Sequence, residues 1–439
     1  MLWDASVPNI IEVAHDPSDL AAVDGRSLVP VGVTADTGVI PGWNIIHGYS
    51  AVQNRLRHLP DADIDLGDPA RPNLNARILL FPYDFRLGVV KAAERLRDEI
   101  ERRLEHLGAA NEEANVVIAG HSMGGLVARY YAGPLGGWPR IRTLLTLGTP
   151  HRGAPKAIDL ATNGVGLGAF RLTELSRVLR TWTGVSDLFP SYGGVFDTRT
   201  GNYAHLSDLP LDTAINAARS RSMHEDITRA WSDIPRSGPQ MVVRMGWSHP
   251  TPSDMSFDGT SLTISKANKY LSSTVGWAEL LGDGTVPAVS AVPAEMSGIA
   301  PSGLLTKHRH GALANDESLF TLAREVEEFP RLVNVREGRS MTHEIGLDLP
   351  EIATGAFEIG AALMGGMSDF SDARLWYQVR RRDGHTATMR GELERRDSTY
   401  RTTVVPTGPP GIFDVKITAA NLPGGFEAVV SESIALFDA

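Results

Sequence analysis

The spacing of hydrophobic positions divides the chain into stretches of different period. Arg77–Pro82 is a short apolar run that predicts a strand, and Val89, Val90, Ala93, Leu96, Ile100 and Leu104 then recur at helical spacing among charges. Val116-Val117-Ile118 suits a fully covered parallel strand, and after a brief turn Leu126, Val127, Tyr130 and Tyr131 mark one helical face. Ile141–Leu147 predicts a third strand, Met241–Met245 a fourth and Gly303–Lys307 a fifth. A helix carrying Leu319, Phe320, Leu322, Val326 and Phe329 follows from about Asp316, and Pro330 ends it. Strands and helices alternating in this way imply a parallel sheet covered on both faces, within an α/β domain over 1–330.

Two stretches depart from that rhythm. Between about 153 and 240, Gly164, Gly166 and Gly168 precede a segment that sets Leu172, Leu175, Leu179 and Trp182 on one helical face. It reads as a cap, whose apolar face is either a lid that meets lipid or the cap's own core. Beyond about 340 the period falls to two, in Ile345/Leu347/Leu349, Leu375/Tyr377/Val379 and Phe413/Val415/Ile417/Ala419. Asp383-Gly384, Pro409-Pro410-Gly411 and Pro423-Gly424-Gly425 punctuate it, which predicts a small antiparallel β-sandwich, immunoglobulin-like, over 341–439. That domain holds no evident catalytic set, so docking, spacing, or binding of a carbohydrate or protein partner are its open roles. The first 75 residues are the least regular; Pro30 interrupts the apolar run Leu28–Val33, and Val52, Leu56 and Leu59 mark a helix before Pro60.

Composition narrows the picture. A chain of 439 residues, 42% hydrophobic and 21% charged, is long enough for two or three folded domains. The formal charge of −10, with no compensating Lys/Arg cluster, argues against a nucleic-acid partner and against a basic anchor on an anionic membrane. The absence of cysteine excludes a disulfide framework and thiolate metal sites and fits a reducing compartment. Met1-Leu2-Trp3-Asp4 does not open like a signal peptide and no apolar run approaches a membrane span, so a cytoplasmic setting is the default. No His/Asp/Glu spacing suggests a metal and no glycine loop suggests a phosphate, so no cofactor is expected.

The candidate chemistry centres on Gly120-His121-Ser122-Met123-Gly124, a G-x-S-x-G turn between strand and helix. Such a turn strains the serine backbone, so the neighbours Gly120 and Gly124 must lack side chains, and the strain lifts the Ser122 hydroxyl to where a base reaches it. A serine hydroxyl needs a histidine to take its proton and a carboxylate to orient that histidine. Asp283, flanked by Gly282 and Gly284, supplies an acid on a tight turn, with Asp254 and Asp258 as weaker candidates. His308 and His310 share one side of the last strand; His310 is preferred because Gly311 follows it and the chain turns there, with His308 as the alternative base. His121 leaves the turn in the wrong direction to relay protons, His151 is placed in the pocket wall, and His224 and His249 read as structural. The amide of Met123 is the first oxyanion donor, and Pro41-Gly42-Trp43 the only stretch resembling a loop for the second.

Together these motifs resemble the bacterial relatives of lecithin:cholesterol acyltransferase, a branch of the α/β-hydrolases. Pro82-Tyr83-Asp84-Phe85-Arg86 is similar to that family's Y-D-W-R segment with Phe for Trp, Gly120–Gly125 to its nucleophile elbow, and Leu147–Gly153 to the strand end that follows. Gly282–Pro287 resembles the segment bearing the family's acid, and His310 its base. The likeness spans about 39–328 and leaves the sandwich out. It implies an acyl hydrolase or O-acyltransferase on ester lipids, working through an acyl-enzyme at Ser122, with Tyr83, Phe85, His151 and Trp182 around the substrate. The family opens with a strand running into a P-G-x-x-G-S loop that gives the second oxyanion donor. Nothing of the kind precedes Leu2-Trp3, so the chain is expected to begin just after that strand, either from a start placed too far downstream or as a weakened or inactive member. Two other readings stay open: a catalytically silent binding protein with the sandwich as its working part, and an esterase or thioesterase on a soluble substrate.

Overall fold

The computed structural model describes residues 30, 32–33, 38–40, 44–46, 49–59, 63–108, 116–164, 166–167, 170–171, 173–266, 281–296, 305–328, 344–350, 352–364, 370–384, 387–423 and 426–436. Its centre is a four-stranded sheet in the order Leu305–Thr306, Gln240–Gly246, Ile141–Leu147, Val116–His121, parallel throughout. The strand Ile141–Leu147 is buried along nearly its whole length, on both faces, as a doubly covered sheet requires. Leu144 packs with the helices Gly88–His106 and Met123–Ala132. Its neighbours Leu145 and Leu147 pack with Leu313, Leu319 and Leu322 on the opposite face. Each such leucine, fully buried, contributes roughly 1.5–3 kcal/mol of transfer free energy.

The strand expected over 77–82 shrinks to Ile78–Leu79, paired in parallel with Ile64–Asp65. Pro82 brings no N–H to extend a ladder. Instead the segment is fixed through the buried carboxylate of Asp65, which accepts from the amides of Gly67 at 2.7 Å and Asn73 at 3.0 Å and from the Arg103 guanidinium.

The insertion after the third strand contains the helices Pro155–Asn163, Thr173–Leu179 and Ala214–Ser232 and the strands Val195–Asp197 and Asn202–Ala204. Val195–Asp197 pairs in parallel with Asp254–Phe257, which pairs with Leu262–Ser265. The insertion's sheet thus draws in residues well beyond 240, and Asp254 lies inside it. Leu179 and Trp182 are 0% and 4% exposed within the main core, so at those two positions the apolar face is core. The side chains of Leu172 and Leu175 lie outside the described residues.

From Glu344 onward two sheets face one another. One runs Glu344–Asp348, Phe357–Met364, Thr399–Val404, Glu394–Arg396; the other runs Ile352–Ala353, Phe426–Leu436, Gly411–Leu422, Arg374–Arg381, Met389–Glu392. Every pairing is antiparallel except that of Ile352–Ala353 with Phe426–Leu436. Leu347, Leu375, Val379, Phe413, Val415, Ile417 and Ala419 are all fully buried between the sheets, on the alternating positions that the sequence marks. Among the described residues no helix is long and apolar enough to cross a membrane. The expected start after a missing strand, and Pro41-Gly42-Trp43, lie outside the described residues.

Candidate active site

Ser122 stands between the strand Val116–His121 and the helix Met123–Ala132 with φ 54° and ψ −128°. That conformation is sterically unfavourable for a residue with a Cβ, and it persists because both flanking elements are packed. The Ser122 amide is tied to Leu147 O at 2.9 Å, which fixes the turn against the neighbouring strand. A methyl on Gly120 would stand 2.6 Å from Gly125 N and 2.7 Å from Gly124 C. At Gly124, however, the nearest atom would be the Tyr83 hydroxyl at 3.7 Å, an ordinary contact, whereas a methyl on Gly125 would collide with Thr149. The steric demand expected of Gly124 therefore falls on Gly125, whose α-hydrogen faces the third strand's end.

Asp283 and His310 come to this serine from segments 161 and 188 positions downstream. His310 Nε2 lies 2.9 Å from Ser122 Oγ, and its Nδ1 lies 2.7 Å from Asp283 Oδ2. The carboxylate can only accept, so Nδ1 carries the proton and Nε2 is left to receive the serine hydroxyl's. Asp283 Oδ1 accepts from the amides of Thr285 at 2.9 Å and Val286 at 2.7 Å. Burial opposes ionisation of Asp283, but His310 and those two amides outweigh it and hold the carboxyl below its ordinary range. The His310 amide also donates to Asp283 O at 2.9 Å, so acid and base are joined through the backbone as well. Gly148, at φ 58°, lets the third strand's end pass close by: a methyl there would lie 3.0 Å from Asp283 Oδ2 and 3.2 Å from His310 Nδ1.

His121 does not relay protons to the serine, yet it is engaged with the base. Its Nε2 lies 2.8 Å from His310 O and its Nδ1 2.9 Å from Tyr49 Oη. A carbonyl only accepts, so Nε2–H donates to it and Nδ1 accepts from the tyrosine. Burial, then the neighbouring His310, pushes the His121 imidazole down to about 4, and burial pushes the Tyr49 phenol up to about 12. Both groups are neutral near pH 7, as this hydrogen-bonded chain requires.

The remaining expected site residues separate. His308 Nε2 lies 3.9 Å from Asp316 Oδ2, and it is His310 that reaches Ser122. His151, expected in the pocket wall, is 3% exposed and held between Arg129 Nη1 at 3.3 Å and Thr146 Oγ1 at 3.2 Å. Trp182, also placed there, is a core residue set edge-on against Phe85 with ring centroids 5.3 Å apart. Both side chains are instead packed inside the protein, His151 among polar partners and Trp182 in the apolar core. Tyr83 does border the elbow through Gly124, and the next residue, Asp84, caps the Arg86 amide at 3.1 Å and pairs with its guanidinium at 2.6 Å. The Met123 N–H lies in the first turn of its helix, where backbone donors have no helical partner. Sequence reasoning missed Tyr49, Gly148 and the bracing role of His121, because each acts across a fold contact that no local pattern records. Among the described residues no group of three or more His, Asp or Glu is placed to hold a metal ion.

A doubly covered parallel sheet, a strained serine between strand and helix, and an acid and a histidine arriving in that chain order define an α/β-hydrolase fold. Residues 88–166, which carry the elbow, match the family described as PGAP1-like alpha/beta domain. No curated protein sequence matches the chain. Among solved structures it is similar to the lipase BlEst2 of Bacillus licheniformis in two forms. The mature form gives 14% identity and a TM-score of 0.29, covering 56% of this chain and 76% of that one. The propeptide form gives 12% identity and a TM-score of 0.27, covering 82% and 87%. A Br derivative of BhCBM56 aligns over 22% of this chain and 96% of that one, at 9% identity and a TM-score of 0.17. At such scores these likenesses carry no argument, and the fold rests on its own geometry.

Proposed function

We propose that the protein is a serine acyl hydrolase acting on carboxylic esters, with Ser122 as nucleophile, His310 as general base and then general acid, and Asp283 as the group that orients the imidazole. The observation that supports this most is the unbroken chain Ser122 Oγ, His310 Nε2, His310 Nδ1, Asp283 Oδ2 at 2.9 and 2.7 Å. In the forward step Ser122 Oγ attacks the ester carbonyl while His310 takes its proton; the tetrahedral oxyanion collapses, and His310 returns the proton to the leaving alcohol. In this reading the Met123 amide supplies one oxyanion donor, and Tyr83, whose hydroxyl lies beside Gly124, borders the substrate. Water, or an acceptor alcohol in an acyltransferase, then resolves the acyl-enzyme. An ester-lipid substrate follows from the resemblance to the lecithin:cholesterol acyltransferase relatives, and phospholipid is the class we favour.

The reading is tested by offering the full chain dispersed phosphatidylcholine and soluble p-nitrophenyl butyrate, alongside Ser122→Ala. Release of fatty acid from the lipid, abolished by the substitution, is the expected result. Turnover of the soluble ester alone would move the assignment to a soluble-ester hydrolase, and no turnover of either would defeat it.

A further inference from the structure

The C-terminal sandwich meets the hydrolase domain at the segments that carry the acid and the base. His249 is fully buried, and its backbone exchanges two hydrogen bonds with Gly282, the residue before Asp283, at 3.0 and 3.1 Å. Its ring reaches in two further directions. Nε2 lies 2.9 Å from Lys307 O, three residues before His310, and Nδ1 accepts from the Leu347 amide at 3.2 Å. Since the carbonyl can only accept and the amide only donate, the ring is neutral with its proton on Nε2. Leu347 belongs to the sandwich's outer strand Glu344–Asp348, which spends an edge amide on this histidine.

A second contact comes from the other sheet. Glu432, in Phe426–Leu436, pairs with Arg309 at 3.4 Å, and the two side chains are only 10% and 9% exposed. The Arg309 guanidinium lies over the turn after the acid, so that a methyl on Gly284 would stand 3.0 Å from its Nη2. Lys266 and Asp348 close the rim of the interface at 2.7 Å. Residues 282 and 284 flank the acid, and residues 307 and 309 lead into the base; the sandwich holds Arg309 through Glu432 and holds Gly282 and Lys307 through His249, while Gly284 lies beneath the Arg309 guanidinium.

We propose that the sandwich is a positioning element of the active site, with Glu432 and Arg309 as the residues that fix the relative placement of Asp283 and His310. The role is structural support of the reacting groups and not recognition of a separate partner. Its kinetic readout rests on the reading of Ser122 as nucleophile, so a second readout independent of activity is needed. The proton between His310 Nδ1 and Asp283 provides one as a low-field proton NMR resonance of the full chain.

The experiment compares wild type, Glu432→Ala, Glu432→Asp and Arg309→Lys with Arg374→Ala, which opens the exposed Arg374–Glu392 pair and uncovers the Trp376 ring elsewhere on the sandwich. Glu432→Ala is expected to lose the low-field resonance, to slow labelling by a fluorophosphonate at least tenfold, and to lower kcat with KM within twofold. Glu432→Asp recovers part of each, and Arg374→Ala matches wild type. Wild-type resonance and rate in a folded Glu432→Ala would overturn the proposal. If that variant does not fold, Arg309→Lys decides in its place: a rate lowered about threefold or more supports the brace, and an unchanged rate overturns it. If wild type resists the reagent while Glu432→Ala still loses the resonance, the brace stands and the functional reading falls.

Discussion

The elbow at Ser122 and the loops carrying Asp283 and His310 meet at one site but are built in opposite ways. The elbow is local: strand, strained serine and helix follow one another within Val116–Ala132, and its fit depends on two glycines in the same stretch. The loops are assembled from distance, with Asp283 and His310 held by Gly148, His121, His249 and, through Arg309, by the C-terminal domain. A compact motif can therefore be read from the chain, while the residues proposed to activate it depend on how remote segments dock.

Chemistry should separate the two regions most sharply. His310→Ala and Asp283→Asn both leave the elbow intact and are expected to lower ester turnover by about 10⁶-fold and about 10⁴-fold, with the folded state retained. Loss of the folded state in either would show instead that the loop is a stability element.

Sterics give the next largest effect. Gly120→Ala has no room, and overpacking of this kind costs about 1–3 kcal/mol or more. Gly124→Ala meets only the Tyr83 hydroxyl at 3.7 Å and should shift stability by about 1 kcal/mol or less. Gly148→Ala carries the same test into the loop, since it combines φ 58° with a clash against Leu313 at 2.7 Å and tight contacts with Asp283 at 3.0 Å and His310 at 3.2 Å. Denaturant midpoints of the three variants check the ordering.

A pH series probes one buried imidazole from each region. Burial, followed by His310 for His121 and by Arg309 for His249, pushes both rings down to about 4. Unfolded histidine titrates near pH 6.5, so between those values the unfolded chain binds more protons. Stability is thus full above about pH 6.5 and falls as the pH drops toward 4, by on the order of 2–3 kcal/mol per ring. Urea midpoints at pH 7 and pH 4.5 measure the loss; His121→Gln and His249→Gln should each remove only that ring's share of the slope, since burial also pushes His224 down to about 4 and His151 well below its ordinary value.

Tyr49→Phe has the smallest expected effect. It leaves His121 Nδ1 without its donor, a loss of about 1–2 kcal/mol, and should slow Ser122 labelling by roughly tenfold or less.

Much of this was legible before the fold. Strand and helix periodicity located the sheet, Gly-x-Ser-x-Gly located the serine, and a glycine-flanked aspartate and a histidine at a strand end located its partners. The period-two runs gave the sandwich, since an alternating face is buried wherever it occurs. Other features were not legible for a physical reason. His151 and Trp182 look like pocket residues by their neighbours, but what surrounds them is decided by the helices of the insertion. Nothing in the sequence around Glu432 says that it meets Arg309, because that contact exists only after two domains have folded and docked.

The central claim, that Ser122 is activated by His310, is tested most directly by incubating the full chain with a fluorophosphonate at pH 7.5 and mapping the adduct by peptide mass spectrometry, beside His310→Ala. The account predicts a single adduct on the peptide carrying Ser122, formed at least 10³-fold more slowly in His310→Ala. An adduct on another residue, or equal rates in the two proteins, would contradict it.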